Sequence, residues 1–344
     1  MQAPMVAQPG IQSRDLARVG EICRAIVDEV GKAFIGPVAV TEALLTALVA
    51  RGHVLIEGNP GVAKTTLVKA FSHTLGCNFR RVQFTPDLLP SDITGTYILD
   101  MRTNTFVLRE GPVFCNVLLG DEINRAPAKT QSALLEAMQE GQVTIEGETR
   151  PLGEPFIVLA TQNPIEQEGT YPLPEAQLDR FIFKIVVGYS QLDELMTILD
   201  RTTSTDNPKP SRVIDGPAIL NAQKLVRGVV VAPHVKEYAA RLVLATHPGG
   251  KHAAGGDGGV TNRYVRCGAS PRAAQALLLG GKVKALADGR YNVSYKDIQE
   301  IATLALRHRL LLNFEAEADR VDPDAIVKEI LEKTPTQPMA AVGV

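Results

Sequence analysis

The stretch HVLIEGNPGVAKTTLVKAF at 53–71 decides the fold. It begins with HVLIEG, a short apolar run of strand length, and ends with LVKAF, which has the spacing of a helix. The loop between them contains glycines that let the backbone curl, so that successive N–H groups point at an anion. A strand, a glycine-rich loop and a helix in this order predict a phosphate-binding loop.

The phosphate-binding loop, residues 58–66, offers a cation and a hydroxyl. We expect Lys64 to reach the β- and γ-phosphates of a nucleotide and Thr65 to place its hydroxyl on Mg²⁺. Ala63 stands where the usual pattern GxxxxGK[ST] has its second glycine, and we expect it to be tolerated only if its φ stays negative. A glycine-rich turn without a ligand is the alternative, but such a turn has no reason to end in a cation and a hydroxyl. The predicted nucleotide-binding residues of the loop are Gly58, Asn59, Pro60, Gly61, Val62, Ala63, Lys64, Thr65 and Thr66.

Further apolar segments of strand length follow the first one. They alternate with stretches of helical spacing such as TQSALLEAMQEG at 130–141, which favours βαβ units and a parallel sheet covered on both faces. We therefore predict an α/β fold of the P-loop nucleotide-hydrolase type, in which helices sandwich a five-stranded parallel sheet. The other four strand segments are FRRVQF at 79–84, CNVLLGDE at 115–122, FIVLATQNP at 156–164 and FIFKIVV at 181–187.

Two of these segments end in side chains that suit a metal ion and an attacking water. Asp121 and Glu122 follow the run CNVLLG. We expect Asp121 to hold Mg²⁺ through water, and Glu122 to polarise a water in line with the γ-phosphate. Asn163 could register the γ-phosphate by a hydrogen bond. Taken alone, the acidic pair is also typical of a helix cap and Asn163 of a turn before Pro164, but the upstream loop favours the nucleotide site.

Two segments, 94–113 and 142–154, interrupt the rhythm and predict β-hairpins that project from the sheet. We place their polar turns at 102–104 and at Gly147 and Glu148. After about residue 190 only helical periodicity remains, which predicts a second, all-helical domain. The predicted division is a flexible N-terminus at 1–12, a nucleotide-binding domain at 13–189, a helical domain at 190–333 and a flexible tail at 334–344.

Composition narrows the class of protein. Of 344 residues, 45% are hydrophobic and 22% charged, which is ordinary for a globular protein. The formal net charge of −2 gives no global positive field, so we expect no nucleic-acid partner. Four cysteines without CxxC spacing predict reduced thiols. The N-terminus lacks a signal-peptide pattern and no apolar run reaches the ~18 residues of a membrane span, so we expect a cytoplasmic protein.

A glycine-rich stretch at 249–260 lies inside the helical part. It is not preceded by a strand or followed by Gly-Lys-Ser/Thr and a helix, so we interpret it as a flexible surface loop and assign it no function.

Five motifs, in this order, resemble the MoxR-type AAA+ ATPases of the helix-2-insert branch, which also holds magnesium-chelatase motor subunits. The resemblance runs from about Val30 to Leu312 and implies that the helical domain is an AAA+ lid domain. The motifs are GNPGVAKT at 58–65, LLGDEINRAP at 118–127, ATQNP at 160–164, PEAQLDRF at 174–181 and GASPRA at 268–273.

The resemblance implies roles for further residues. Arg180 resembles the arginine finger that reaches the nucleotide of a neighbouring subunit, and Arg272 resembles the sensor-2 arginine that contacts the γ-phosphate from the lid. From the residues alone, Arg180 could instead form an ion pair within its own chain and Arg272 could be a surface arginine. Phe34 and Ile35, followed by Gly36, resemble the apolar segment of the adenine pocket. In the family the two hairpins point into or over a ring pore.

The resemblance implies an ATP- and Mg²⁺-dependent homo-oligomer, most simply a hexameric ring. Its expected work is chaperone-like remodelling, activation or metal insertion of a client protein, with a partner that carries a von Willebrand factor A domain. A metal-chelatase motor subunit is one alternative. A nucleic-acid-remodelling ATPase is another, although the hairpins hold few basic side chains (Arg102, Arg109 and Arg150). A nucleotide-gated scaffold that hardly hydrolyses ATP is the third.

Overall fold

The computed structural model describes residues 13–164, 170–203, 208–250, 253–256 and 259–336. The predicted flexible N-terminus at 1–12 lies outside the described residues, as does most of the predicted tail at 334–344. Parts of the glycine-rich stretch at 249–260 also lie outside them, so its interpretation as a surface loop stays a prediction.

The core of the sheet domain is a five-stranded parallel sheet, as predicted. Numbered along the chain, its strands are β1 (Val54–Gly58), β2 (Phe79–Gln83), β5 (Val117–Asp121), β8 (Ile157–Gln162) and β9 (Phe183–Val187). Their order across the sheet is β2-β5-β8-β1-β9. Every residue of β5 and all but the last residue of the central strand β8 are buried, so both faces of the sheet are covered there. The edge strand β2 is mostly exposed.

Helices flank these strands along the chain. Helix α3 begins directly after the phosphate-binding loop, and a short 3₁₀ turn, Ile123–Arg125, follows β5. The helices are α1 (Ser13–Ala33), α2 (Val38–Val49), α3 (Lys64–Thr74), α4 (Pro90–Thr94), α5 (Ala128–Glu140), α6 (Glu175–Leu178) and α7 (Leu192–Thr203).

Both predicted hairpins are present. The first pairs β3 (Gly95–Asp100) with β4 (Thr105–Glu110), and the second pairs β6 (Gln142–Ile145) with β7 (Glu148–Pro151). The predicted turn of the second hairpin was wrong by one residue, because Glu148 opens β7 and the turn consists of Glu146 and Gly147. Both turn residues have positive φ, 50° and 88°, as a two-residue hairpin turn requires.

The tyrosine hydroxyl of Tyr97 joins the two hairpins. It donates to Glu148 Oε2 over 2.6 Å and accepts from Arg150 Nη2 over 2.8 Å. Arg150 Nη2 also donates to Glu148 Oε2 over 2.5 Å, and the hydrogen bonds from Tyr97 and Arg150 hold the pKa of Glu148 below its usual value. The hairpins are therefore linked by a polar contact between β3 and β7.

The chain divides into two compact units, Ala25–Leu220 and Met1–Arg24 with Asn221–Val344. The predicted domain boundaries at 12/13 and 189/190 stay a prediction. Within the first unit, Arg201 of α7 donates to the carbonyl oxygens of Gly31 and Lys32 at the end of α1. Helix α7 is therefore bonded to the end of a helix that lies about 170 residues earlier in the chain.

The second unit is helical, as predicted, with one addition. A short antiparallel pair joins β10 (Val265–Cys267) to β11 (Leu311–Leu312), and strands this short give no periodic signal in sequence. The helices are α8 (Gly216–Gly228), which begins in the first unit, α9 (Pro233–Ala245), α10 (Val260–Tyr264), α11 (Pro271–Ala287), α12 (Tyr295–Leu306), α13 (Phe314–Ala318) and α14 (Pro323–Lys333).

Two smaller observations concern expectations from composition. The four cysteines are free thiols, and burial raises the pKa of Cys115 to about 12. None of the helices within the described residues combines the length and the hydrophobicity that a bilayer crossing requires.

Candidate nucleotide site

The phosphate-binding loop leaves β1 at Gly58 and enters α3 at Lys64. Gly58 is required by packing, because a Cβ there would lie 2.6 Å from the carbonyl oxygen of Val187 at the end of β9. Gly61 has a φ of 83°, in the left-handed region that favours glycine. The loop therefore uses its two glycines for different reasons, one for close approach and one for backbone conformation.

Ala63 corrects one expectation. We predicted that alanine is tolerated only with a negative φ, yet Ala63 has a φ of 59° and a ψ of 26°, in the left-handed helical region just before α3. An L-residue other than glycine pays roughly 1–2 kcal/mol for this conformation. The loop needs the conformation at that point to turn into the helix, and the rest of the fold holds the residue in it.

The ammonium group of Lys64 lies over the loop. It donates to the carbonyl oxygen of Gly58, to that of Asn59 over 3.2 Å and to that of Gln162 over 3.5 Å. Gln162 is the last residue of β8, so the lysine is held where β1 and β8 end side by side. A cation at this position is available to an anion bound by the loop.

Asp121 ends β5 and is 6% exposed. Its Oδ1 accepts from the Thr161 hydroxyl over 2.5 Å, and its Oδ2 accepts from the Thr65 hydroxyl over 3.3 Å. The Arg81 guanidinium also contacts Oδ2, through Nη2 at 2.6 Å and Nε at 3.1 Å. The structure thus brings together the predicted pair of Thr65 and Asp121.

Glu122 has a φ of 57°, a strained conformation for a residue with a side chain. Its backbone N–H donates to the Thr161 hydroxyl over 2.9 Å. Its carboxylate Oε2 accepts from Gln83 Nε2 over 2.7 Å and pairs with Arg125 Nε at 3.3 Å. The left-handed backbone turns the chain sharply after β5. Glu122 therefore does not continue the extended path of the strand.

Asn163 follows the last residue of β8 and is 3% exposed. Because β8 lies between β5 and β1, the ends of all three strands share one edge of the sheet. The structure therefore brings Asn163, Asp121 and the phosphate-binding loop to the same edge, as the sequence predicts.

Three side chains at this edge were missed by the sequence analysis. Arg81 and Gln83 come from β2, and Thr161 comes from β8. A signal for the first two exists in the alternation of β2, which puts Arg81 and Gln83 on one face of the strand. What the sequence does not contain is the pairing of β2 with β5, in which Gln83 lies opposite Asp121.

The donors at this edge fit Mg²⁺ and a nucleotide. Thr65 and Asp121 supply the hard oxygen atoms that Mg²⁺ prefers, and the ion commonly uses only one or two carboxylates, with water and phosphate oxygens completing its shell. Among the side chains that the structure describes, no group of three or more acidic, histidine or cysteine residues gathers as a metal site. A metal held jointly by protein, water and nucleotide is consistent with this arrangement.

The other predicted residues of the first unit lie outside this cluster of contacts. Arg180 is half-buried, and its Nη1 donates to the carbonyl oxygen of Leu135 in α5 over 3.0 Å. Phe34 is buried in the connection between α1 and α2, with its ring against Gly36, and Ile35 is half-buried. The contact of Arg180 is to a main-chain oxygen.

Arg272 belongs to the second unit. Helix α11 begins at Pro271, as the resemblance implies, and the Ser270 hydroxyl caps it by accepting from the Arg272 N–H over 3.1 Å. The side chain of Arg272 is exposed. A cation in the first turn of a helix is disfavoured by the helix dipole, so the residue gains nothing there from its own helix.

Comparisons with known proteins agree with this geometry. Residues 53–183 match the model of the ATPase family associated with various cellular activities (AAA), and residues 259–330 match the model of the AAA lid domain. The chaperone MoxR1 of Mycobacterium tuberculosis is 44% identical over 326 residues, which are 95% of this chain and 85% of that protein. YeaC, an uncharacterised protein of Bacillus subtilis, is 42% identical over 318 residues, 90% of this chain and 94% of its own.

A solved structure extends the likeness to three dimensions. The crystal structure of a Cytophaga hutchinsonii protein assigned as an ATPase has a TM-score of 0.86 and is 40% identical, covering 94% of this chain and 97% of that one. Both the phosphate-binding loop and the acidic pair lie within the part that matches the AAA model. This chain is a member of the MoxR group of AAA+ ATPases.

Proposed function

We propose that this chain binds ATP with Mg²⁺ and hydrolyses it at the carboxyl edge of its sheet. One observation carries the proposal: the ends of three adjacent strands gather Lys64 and Thr65, Asp121 and Glu122, and Asn163. A phosphate chain held by the N–H groups of the loop and by Lys64 would direct its γ-phosphate toward these polar strand ends.

Thr65 and Asp121 would hold Mg²⁺, with Asp121 acting through water. When bound, the ion neutralises charge on the β- and γ-phosphate oxygens. The Thr161 hydroxyl orients Asp121 by donating to its Oδ1, and so keeps the other oxygen directed toward Thr65. The adenine would lie near Phe34 and Ile35.

Glu122 would accept the proton of the attacking water. Its Oε2 is bonded to Gln83 and Arg125, so a water must either replace one of these contacts or use Oε1. Asn163 would hydrogen-bond the water and the γ-phosphate, and thereby distinguish ATP from ADP.

Arg180 and Arg272 would complete the site. We propose that Arg180 reaches the γ-phosphate of a neighbouring subunit and that Arg272 reaches that of its own subunit. Arg180 is half-buried, and its side-chain bond among the described residues goes to the neutral carbonyl oxygen of Leu135, which a phosphate oxygen could replace as acceptor. A site completed by a neighbour requires an oligomer, and a hexameric ring of identical subunits is the simplest form.

The proposed work of the ring is chaperone-like remodelling of a client protein, including activation or metal insertion, together with a von Willebrand factor A domain partner. The hairpin β3–β4 supports a role in gripping protein, because Met101 is 84% exposed and Phe106 is 72% exposed at its tip. The similar M. tuberculosis protein is named a chaperone. A von Willebrand A protein that raises the turnover of the wild type, and no longer does so after Met101→Ser and Phe106→Ser, would support this part.

The test of hydrolysis is Glu122→Gln. The amide keeps the shape of the side chain but accepts no proton, so we expect ATP binding within about twofold of the wild type and turnover reduced by about 10²–10⁴, the range for a general base. Binding is measured with a fluorescent ATP analogue and turnover by phosphate release. Glu57→Gln, which alters a carboxylate paired with Lys184 instead, is the matched control. Turnover of the Glu122 variant at the wild-type rate would contradict the proposal.

A further inference from the structure

The guanidinium of Arg81 takes up one oxygen of Asp121. Two of its nitrogens contact Oδ2, Nη2 at 2.6 Å and Nε at 3.1 Å. The Thr65 hydroxyl reaches the same Oδ2 at 3.3 Å. Three donor atoms therefore converge on a single carboxylate oxygen.

The other oxygen of Asp121 is also engaged. Oδ1 accepts from the Thr161 hydroxyl over 2.5 Å. An ionised carboxylate has about four lone-pair sites, about two on each oxygen. Oδ2 is the oxygen that faces Thr65, the other proposed ligand group, so a water on a metal held by Thr65 would donate to Oδ2. In this structure the two nitrogens of Arg81 occupy that oxygen together with the Thr65 hydroxyl.

Arg81 and a metal ion would also compete for Asp121 through their charges. Arg81 and Mg²⁺ are both cations, and beside a buried carboxylate their repulsion is weakly screened. The side chain of Arg81 is 43% exposed, whereas that of Asp121 is 9% exposed. Arg81 can therefore move into water while Asp121 stays in place.

We infer that Arg81 is an internal counter-ion of Asp121 that competes with Mg²⁺ and so weakens the metal-dependent part of nucleotide binding. The inference rests on the proposed function, since it assumes that Asp121 serves the metal. It adds a residue that modulates metal binding, which the family motifs quoted above do not include and which the edge strand β2 contributes.

Gln83 connects this contact to the proposed base. Its Oε1 accepts from Arg81 Nη2 over 2.7 Å, and its Nε2 donates to Glu122 Oε2 over 2.7 Å. If Arg81 moves away from Asp121, the hydrogen bond from Arg81 to Gln83 is also lost. Gln83 can then reorient, which would change its hydrogen bond to Glu122. Metal loading and release of the base would then be linked.

The competing explanation is that Arg81 only holds Asp121 in position for the metal. The two explanations differ in sign. If Arg81 competes, its removal strengthens binding in the presence of Mg²⁺; if it positions Asp121, its removal weakens that binding. A third explanation is that Arg81 contacts the phosphates directly. Its removal would then weaken nucleotide binding with or without the metal, so the nucleotide affinity in EDTA separates this explanation from the other two.

The experiment compares Arg81→Met with the wild type and with Arg80→Met, which removes the same charge from the adjacent, exposed position of β2. The affinity of a non-hydrolysable fluorescent ATP analogue is measured in EDTA and at saturating Mg²⁺. For Arg81→Met we expect an affinity with Mg²⁺ about fivefold higher, the order that a half-exposed ion pair supports, and an unchanged affinity in EDTA. Arg80→Met should match the wild type in both.

An unchanged or weaker affinity of Arg81→Met with Mg²⁺ would overturn the inference. If this variant does not fold, as judged by circular dichroism, Arg81→Gln replaces it with the same expected direction. A wild-type chain whose analogue binding ignores Mg²⁺, or that binds no analogue, would contradict the proposed function itself. A normal Mg²⁺ response of the wild type with an unshifted variant would contradict only the role of Arg81.

Discussion

Ala63 has a backbone conformation that glycine adopts without steric cost. Replacing it by glycine removes roughly 1–2 kcal/mol of strain but adds about 0.4–1 kcal/mol of unfolded-state entropy, so we expect a net gain of about 0.5 kcal/mol in the free energy of unfolding. Ala70→Gly, in the interior of α3, should instead lose roughly 1 kcal/mol. Urea denaturation of both variants measures the difference. Equal losses would show that residue 63 is not strained.

His53 is buried next to β1 and is neutral in this environment. Its Nδ1 accepts from the Val158 N–H and its Nε2 donates to the Met138 carbonyl oxygen, both over 2.9 Å. Burial lowers its pKa to about 4. A histidine whose pKa is lowered on folding stabilises the fold fully above its unfolded pKa of about 6.5, and this stability is lost as pH falls toward 4.

We therefore predict that acidification destabilises the wild type through His53. Between pH 7 and pH 5 its free energy of unfolding should fall by about 2 kcal/mol more than that of His53→Gln, which cannot titrate. Urea denaturation at the two pH values gives both numbers. Parallel losses in the two proteins would mean that His53 does not control this dependence, whatever their absolute stabilities.

At the residue scale, the sequence predicts chemistry better than conformation. Lys64, Thr65, Asp121 and Asn163 could be found because each stands at a fixed offset from a strand end. The left-handed φ of Ala63 could not, since residue type favours but does not determine a dihedral angle. The role of Arg81 could not be predicted, because its partner Asp121 lies 40 residues away in β5. The sequence does not specify that β2 pairs with β5.

The elements themselves were largely predictable. The strands of a parallel sheet buried on both faces are short apolar runs. In both hairpin segments, apolar residues alternate with polar ones on either side of a polar turn. The sequence also predicts helix α7 from its periodicity, but not the bonds from Arg201 to the end of α1, because these are long-range. Local pattern fixes the type of an element; its attachment depends on contacts distant in sequence.

The link between the two hairpins can be tested through Tyr97. Tyr97→Phe removes only the hydroxyl that contacts Glu148 and Arg150. We expect amide hydrogen exchange in both β3–β4 and β6–β7 to accelerate roughly twofold to fivefold, the range that an exposed polar contact supports. Tyr189→Phe, at an exposed tyrosine outside both hairpins, is the control and should change neither hairpin. Faster exchange in only one hairpin would show that they move independently.

At the scale of the whole molecule, each unit carries part of the proposed site. The sheet unit carries the phosphate-binding loop and the acidic pair, and the second unit, which contains the AAA lid match, carries Arg272. The proposed ring would give Arg180 a role in hydrolysis, although among the described residues its side chain hydrogen-bonds to the carbonyl oxygen of Leu135 and lies outside the contacts of its own nucleotide site. Hydrolysis then depends on two neighbouring subunits.

Substitution of Arg180 should therefore separate binding from turnover. We expect Arg180→Ala to bind the ATP analogue normally and to lose about 10³–10⁵ in turnover, the range for an arginine finger. The same loss would also follow if Arg180 acted within its own subunit. The single variant thus tests whether Arg180 is needed for hydrolysis. A mixture of variants is needed to test whether Arg180 acts on the nucleotide of a neighbouring subunit.

Mixing Arg180→Ala with Glu122→Gln subunits makes that measurement. Each variant alone should be inactive, but in equal mixtures a subunit with intact Glu122 can receive Arg180 from its neighbour. About a quarter of the sites are then complete, so phosphate release should recover to about a quarter of the wild-type rate. If mixtures that form the same oligomer as the wild type stay as inactive as their components, Arg180 does not act across the subunit boundary.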